Sequence, residues 1–185
     1  KFDSSLYMPW TLLGSALHLS YKTFWLGLCP TNIRHNISRI FTLSDAFDFI
    51  TSNGTTSPAG TLPFPVSASK DSFFGETNDG FNGNINPTGG FTLFDLDPAK
   101  YYSFSVFSSR IGVSDNRETL YTVTGNTVAS QALNPSNNNA NTAIILNIQP
   151  NESGEITFQA EPGANNNNSN GFYYLGAIQL VISDT

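Results

Sequence analysis

From residue 89 to residue 125, apolar and polar side chains alternate as they do along extended chain. Tyr102, Phe104 and Val106 alternate with Ser103 and Ser105, the pattern of a strand with one buried face. Tyr121 and Val123 alternate with Thr122 and Thr124 in the same way. Farther on, Ile156, Phe158 and Ala160 point inward, and Glu155, Thr157 and Gln159 outward. Residues 143–148 read as a strand with Ile144, Leu146 and Ile148 on one face, and residues 172–183 as one long apolar strand buried on both sides. Ile40 to Leu43 is another strand. Residues 45–50 are either a short helix capped by Ser44 or a continuing strand. Residues 70–75 bring Phe73 and Phe74 to a loop edge. Clusters of Ser, Asn, Gly, Thr and Pro at 52–63, 78–90, 134–141, 151–154 and 163–171 punctuate these runs as loops and turns. Short strands separated by turn signals predict an all-β chain folded as a β-sandwich, and the long crossing loops favour a jelly roll.

Composition agrees with an ordered β domain. Charged residues make up 12% of the 185 residues and aromatics 13%, which sets the chain apart from disordered sequences. The net charge of −6 argues against a nucleic-acid surface, which requires a basic face. The single cysteine, Cys29, excludes an intrachain disulfide. No stretch is apolar for long enough to suggest a membrane span. The charge is unevenly spread. Residues 1–44 carry Lys1, Lys22, Arg34 and Arg39 against Asp3 alone, whereas acids dominate the remainder. Met8, Trp10, His18, Trp25, Cys29 and His35 also fall in this early segment. The break divides the chain into an atypical N-terminal segment, residues 1–40, expected to pack on the sandwich, and the sandwich itself, residues 41–185.

An ordered series of motifs then stands out. It comprises Asp71-Ser-Phe-Phe-Gly75, Pro87-Thr-Gly-Gly-Phe91, Leu96-Asp-Pro-Ala-Lys-Tyr-Tyr102, Phe107-Ser-Ser-Arg110, Asp115-Asn-Arg-Glu-Thr119, Tyr121-Thr-Val-Thr-Gly125 and the stretch from Gly163 to Gly176. As a set it resembles a galactose-binding-like jelly-roll module of secreted, multidomain Bacteroidota-type surface proteins. The resemblance covers roughly residues 41–185. It implies a jelly-roll fold and a secreted or cell-surface setting more directly than an activity. Residues 14–39 depart from the family pattern.

The densest charge lies at Asp115-Asn116-Arg117-Glu118, with Arg110 just before it. Arg117 offers a planar fork of donors to vicinal sugar hydroxyls, and Asp115 and Glu118 offer acceptors. The competing reading is that Arg110 and Arg117 pair with nearby carboxylates and brace a loop. Phe73 and Phe81, with Tyr173, are candidates for an aromatic platform under a pyranose ring, whereas Phe74 and Tyr174 are assigned to the core. The Asn runs, Asn168 among them, are either glycan hydrogen-bonding groups or turn formers. Asp79, Asn82 and Asn84 alternate as oxygen ligands and make a candidate calcium site, with turn chemistry as the alternative.

Catalysis has little support. Neither a Gly-x-Ser-x-Gly elbow nor a His-Glu-x-x-His pair occurs. The expectation is a non-catalytic extracellular module that binds carbohydrate weakly. The alternative is a self-associating structural subunit or adhesin repeat that uses residues 10–28 as its interface. The partners are then a glycan or neighbouring protein subunits, with calcium as the one candidate cofactor.

Overall fold

In a computed structural model of the chain, the described residues are Leu6, Tyr7 and residues 41–184 apart from 46, 63, 65, 79, 80, 82 and 84. Among the described residues, twelve strands build three sheets, and every strand pairing within them is antiparallel. The four-stranded sheet runs β1 (Leu6–Tyr7), β12 (Ala177–Ser183), β6 (Tyr101–Phe107), β9 (Ala143–Ile148). The five-stranded sheet runs β2 (Phe41–Asp45), β5 (Gly89–Leu93), β10 (Ile156–Pro162), β7 (Thr119–Thr124), β8 (Val128–Leu133). A small third sheet runs β11 (Tyr173–Leu175), β4 (Ser72–Gly75), β3 (Phe49–Thr51), with one helical turn, α1 (Val66–Ser69), between β3 and β4 in the chain.

The alternating strands build the core. Tyr102, Phe104 and Val106 of β6 are buried, as are Tyr121 and Val123 of β7 and Ile156, Phe158 and Ala160 of β10. The Phe158 ring stacks on Phe91 at 4.9 Å and lies 6.0 Å from Phe104 of the opposing sheet. The two larger sheets thus share one apolar interior, and the fold is all-β and sandwich-like. From β5 onward the chain passes from one large sheet to the other at β5–β6, β6–β7, β8–β9 and β9–β10, with β7–β8 a hairpin.

Three expectations need correction. Residues 172–183 are not one strand. β11 belongs to the small sheet and β12 to the four-stranded sheet, and the chain changes sheet at Gly176. A Cβ at Gly176 would stand 2.6 Å from the Phe107 carbonyl oxygen, so only glycine lets the backbone pass there. In β9, Ile144 and Leu146 are exposed, while Ile145 and Ile148 are buried. The cause is a bulge: Asn147 adopts φ 58°, its N–H donates to Ser103 Oγ at 3.0 Å, and the register with β6 shifts there. One extra residue reverses the side-chain parity along the strand. Phe73 and Phe74, expected at a loop edge, lie in the buried strand β4. Of the stretch read as either helix or strand, Asp45 closes β2 and Phe49 and Ile50 lie in β3, the extended alternative. The N-terminal segment, residues 1–40, lies outside the described residues except for β1, whose backbone pairs with Leu180 and Gln179.

The ends of several strands meet at one end of the sandwich. Thr119, which opens β7, is paired with Pro162, which closes β10. Phe107, which closes β6, is paired with Ala177, just after the small sheet. Tyr121 and Tyr174 join these elements: the Tyr121 hydroxyl donates to the Tyr174 carbonyl at 2.8 Å and lies 2.8 Å from Ser108 Oγ. The loops 108–118 and 163–172 are therefore forced together beside the small sheet.

Candidate functional site

Loop 108–118 is built around Arg117. Its Nε donates to both carboxylate oxygens of Asp115, at 3.0 and 3.1 Å. Its Nη1 donates to the Tyr174 hydroxyl at 2.6 Å. The guanidinium lies over the Phe172 ring, 5.3 Å from its centroid, and 5.9 Å from that of Tyr174, so it is both paired and stacked. The Arg117 backbone N–H reaches Ser136 Oγ at 3.1 Å, bringing in loop 134–141.

Loop 163–172 is bound to loop 108–118 residue by residue. Asn168 Nδ2 donates to Asp115 Oδ2. The Asn116 N–H donates to Asn167 Oδ1 at 2.7 Å, and the Asn167 N–H returns to the Asn116 carbonyl at 2.9 Å. Both oxygens of Glu118 accept from Asn165 Nδ2, and one also accepts the Asn165 N–H at 3.0 Å. Other asparagines cap their own turns. Asn168 Oδ1 accepts from the N–H groups of Asn170 and Phe172, and Asn138 Oδ1 from those of Ala140 and Asn141. The Asn-rich loops are thus ordered by their own amides.

Between the two loops lies an open cleft of about 530 Å³, lined by Arg110, Gly112, Val113, Ser114, Asp115, Arg117, Asn167, Asn168 and Ser169. Arg110, Asp115, Arg117 and Asn168 of the sequence-derived set line it together. Asn116 and Glu118 sit behind it and hold the loops. Arg110 takes no part in an ion pair among the described residues. Its Nη1 donates to the Ile111 carbonyl.

The aromatic candidates divide by strand parity. Phe81 is 41% exposed and meets Phe172 edge-on at 5.5 Å. Phe172 meets Phe74 edge-on at 5.5 Å, and Phe74 stacks on Tyr174 at 5.8 Å. A continuous row of rings thus leads from Phe81 to Arg117. Phe73 and Tyr173, expected on a platform, are instead buried, at 9% and 0% exposure. Neighbours along a strand face opposite sides. Phe73 and Tyr173 therefore turn inward onto Phe47, away from Phe74 and Tyr174. The Tyr173 hydroxyl donates to the Asn86 carbonyl at 2.8 Å, and its ring lies so close over Gly75 that any Cβ there would collide with it. Phe172 and Tyr174 are the site residues that the sequence reading missed. The triplet Phe172-Tyr173-Tyr174 carried the signal, since alternation puts Phe172 and Tyr174 on the face opposite Tyr173, toward Arg117. There Phe172 is half-buried, and Tyr174 is buried, as is Phe74, in keeping with the core assignment of those two.

The electrostatics follow from the geometry. Burial alone would raise the Asp115 carboxyl. Hydrogen bonds from Asn168 and Arg117 outweigh it, and the net effect holds the group below its ordinary value of 3.8. A depressed folded value means that Asp115 stabilises the fold above its unfolded pKa, and that this contribution fades as pH falls through the folded pKa. Wild type is therefore expected to be more stable than Asp115→Asn at pH 6, with the gap closing below about pH 4. Thermal melts of both proteins between pH 2 and 7 measure this. Burial pushes the Tyr174 hydroxyl up, partly countered by the charges of Arg117 and Arg110.

The candidate calcium ligands Asp79, Asn82 and Asn84 lie outside the described residues, as do His18, His35 and Cys29. Among the described residues, no three His, Cys, Asp or Glu side chains gather as a metal site, and no helix is long and apolar enough to cross a membrane.

No protein-family model matches the chain, and no curated protein matches it. Among solved structures, the extracellular domain of ANXUR1 from Arabidopsis thaliana is similar to this chain at TM-score 0.50 and 15% identity, over 78% of this chain and 40% of that one. An arabinose-bound α-L-arabinofuranosidase gives TM-score 0.36 at 13% identity, over 77% and 22% of the two chains. The enzymatically active domain of bacteriophage CBA120 tailspike protein 4 gives 0.34 at 17% identity, over 80% and 20%. The chain spans about two fifths of the ANXUR1 structure, from 40% coverage, and about a fifth of the other two. The ANXUR1 likeness is one of fold; the other two are too slight to bear on it.

Proposed function

We propose that this chain is a non-catalytic carbohydrate-binding module of the galactose-binding-like jelly-roll type, working at a cell surface or in secretion. One observation carries the reading. A polar cleft lined by Arg117 lies at one end of a row of aromatic rings, and Phe81, at the other end of that row and joined to Arg117 through Phe172, is 41% exposed. Sugars present both C–H faces and hydroxyl groups, and such a site offers a partner to each. The repeated passage between the two large sheets supports the jelly-roll assignment, and the extracellular setting of the ANXUR1 domain fits the proposed location. The non-catalytic reading rests on the carboxylates. Asp115 is held ionised by Arg117 and Asn168, and both Glu118 oxygens are engaged by Asn165. Asp115, the acid that lines the cleft, is thus shifted away from the raised-pKa acid of a glycosidase pair.

Glycan-array screening followed by calorimetry tests the proposal. Phe81→Ala is expected to weaken binding about tenfold and to leave the melting temperature nearly unchanged, because the ring is already half in water. Unchanged affinity in that variant, or no glycan bound by wild type, would overturn it.

A second reading, self-association, draws on a different surface. Ile144, Leu146 and Val181 are exposed, and cross-strand register places Ile144 and Val181 with Ser105 and Ser103 on the outer face of the four-stranded sheet. Light scattering of wild type against Leu146→Lys decides it. A monomer in both would dismiss this reading.

A further inference from the structure

The cleft carries more positive charge than its own acid neutralises. Arg110 and Arg117 line it, and Asp115 is its one acidic lining residue. That carboxylate is fully engaged, since both oxygens accept from Arg117 Nε and one accepts from Asn168. Arg110 has five N–H donors. Its Nη1 donates to the Ile111 carbonyl and the guanidinium also hydrogen-bonds the Tyr174 hydroxyl, which leaves donors over, and it meets no carboxylate in an ion pair among the described residues. Asn167 has its side-chain oxygen occupied by the Asn116 N–H, which leaves its amide donors for a ligand. Ser114 adds an exposed hydroxyl. The lining is therefore rich in donors and poor in acceptors, with a local excess of one positive charge on a chain whose net charge is −6. A neutral sugar hydroxyl both donates and accepts, so it would leave this surface partly unmatched. An acceptor-only group matches it.

We infer that the cleft takes an acidic carbohydrate, a uronic-acid residue whose planar carboxylate pairs with the Arg110 fork. The inference rests on the carbohydrate-binding reading above and narrows it to one ligand class. Planarity selects the carboxylate, because a guanidinium engages it through two parallel N–H···O bonds. The overall negative charge of the chain opposes long-range attraction of an anion, so selectivity arises from close contact. Because the cleft is open to solvent, that contact weakens as ionic strength rises.

The test uses calorimetry on a panel of oligouronates, each matched with its carboxyl-reduced neutral counterpart. At least one acidic member is expected to bind about tenfold more tightly than its neutral partner at low salt, with the ratio shrinking at 0.5 M NaCl. Arg110→Gln should bring that ratio close to one, while circular dichroism and the melting temperature confirm that the variant is folded. Equal binding of the acidic and neutral partners would overturn the inference and leave the carbohydrate-binding reading standing. An acid preference that survives Arg110→Gln, or tighter binding of sulfated than of carboxylated sugars, would also overturn it. Failure of every glycan, acidic and neutral, would remove both.

Discussion

Arg117→Ala is expected to cost the fold about 2–4 kcal/mol and to abolish ligand binding in the cleft. The side chain is only 13% exposed and makes three kinds of contact at once. It pairs with Asp115 through Nε, donates to the Tyr174 hydroxyl at 2.6 Å, and covers the faces of Phe172 and Tyr174. Truncation leaves Asp115 with Asn168 as its remaining side-chain partner and removes one of the two arginine donors from a phenol that lies mostly in the interior. Losing one partner of a largely buried pair costs more than the pair contributes, because the other group stays desolvated. Two loops are released together, since Asp115 is also the anchor of Asn168. Arg117→Lys keeps the charge and loses the fork, and should recover less than half of the lost stability. Urea denaturation of the three proteins measures the series. Full stability in Arg117→Ala would mean that the loops are held by their asparagines alone.

Phe158→Ala is expected to cost about 3–5 kcal/mol, the range for truncating a large buried aromatic. Phe158 has no solvent exposure and sits on the central strand of the five-stranded sheet. Its ring meets Phe91 at 4.9 Å, Tyr121 at 5.8 Å and Phe104 of the opposing sheet at 6.0 Å. The neighbours are rings fixed on paired backbones, so the cavity cannot close and the cavity term adds to the transfer term. Phe158→Leu should recover much of the loss by refilling the space. The same denaturation experiment reads both, and a loss below about 1 kcal/mol would mean that this interior collapses freely. At temperatures where Phe158→Ala remains folded, its glycan affinity should match wild type, in contrast to Arg117→Ala.

The candidate site was legible as chemistry and only partly as geometry. Arg110, Asp115, Arg117 and Asn168 were marked by charge density and loop composition, and they line one cleft. The proposed competition between ligand binding and loop bracing resolves differently for the two arginines. Arg117 braces the loop against Asp115, whereas Arg110 makes no such pair among the described residues. The aromatic candidates were chosen as a neighbourhood, but strand parity separates adjacent residues. Tyr173 and Phe73 turn inward, while Phe172 and Phe81 meet at the surface row. Side-chain direction follows from where a strand starts, and a loop rich in Asn and Gly does not announce that position.

Some things about this protein follow from the chain order alone. Alternation along residues 101–107, 119–124 and 156–162 determines strands with one buried face, because only that conformation removes every second side chain from water. The asparagine, glycine and proline clusters determine where those strands stop. What the tertiary structure decided is which strands pair and which loops meet. The bulge at Asn147 reverses the buried face of β9, and the crossing at Gly176 divides one apolar run between two sheets. The cleft exists because β7 begins where β10 ends, so residues more than forty positions apart share one set of hydrogen bonds, as Asp115 and Asn168 do with a separation of 53. Local pattern is set by whether each side chain reaches water. Long-range pairing is set by register and packing between segments, which no local window of sequence contains.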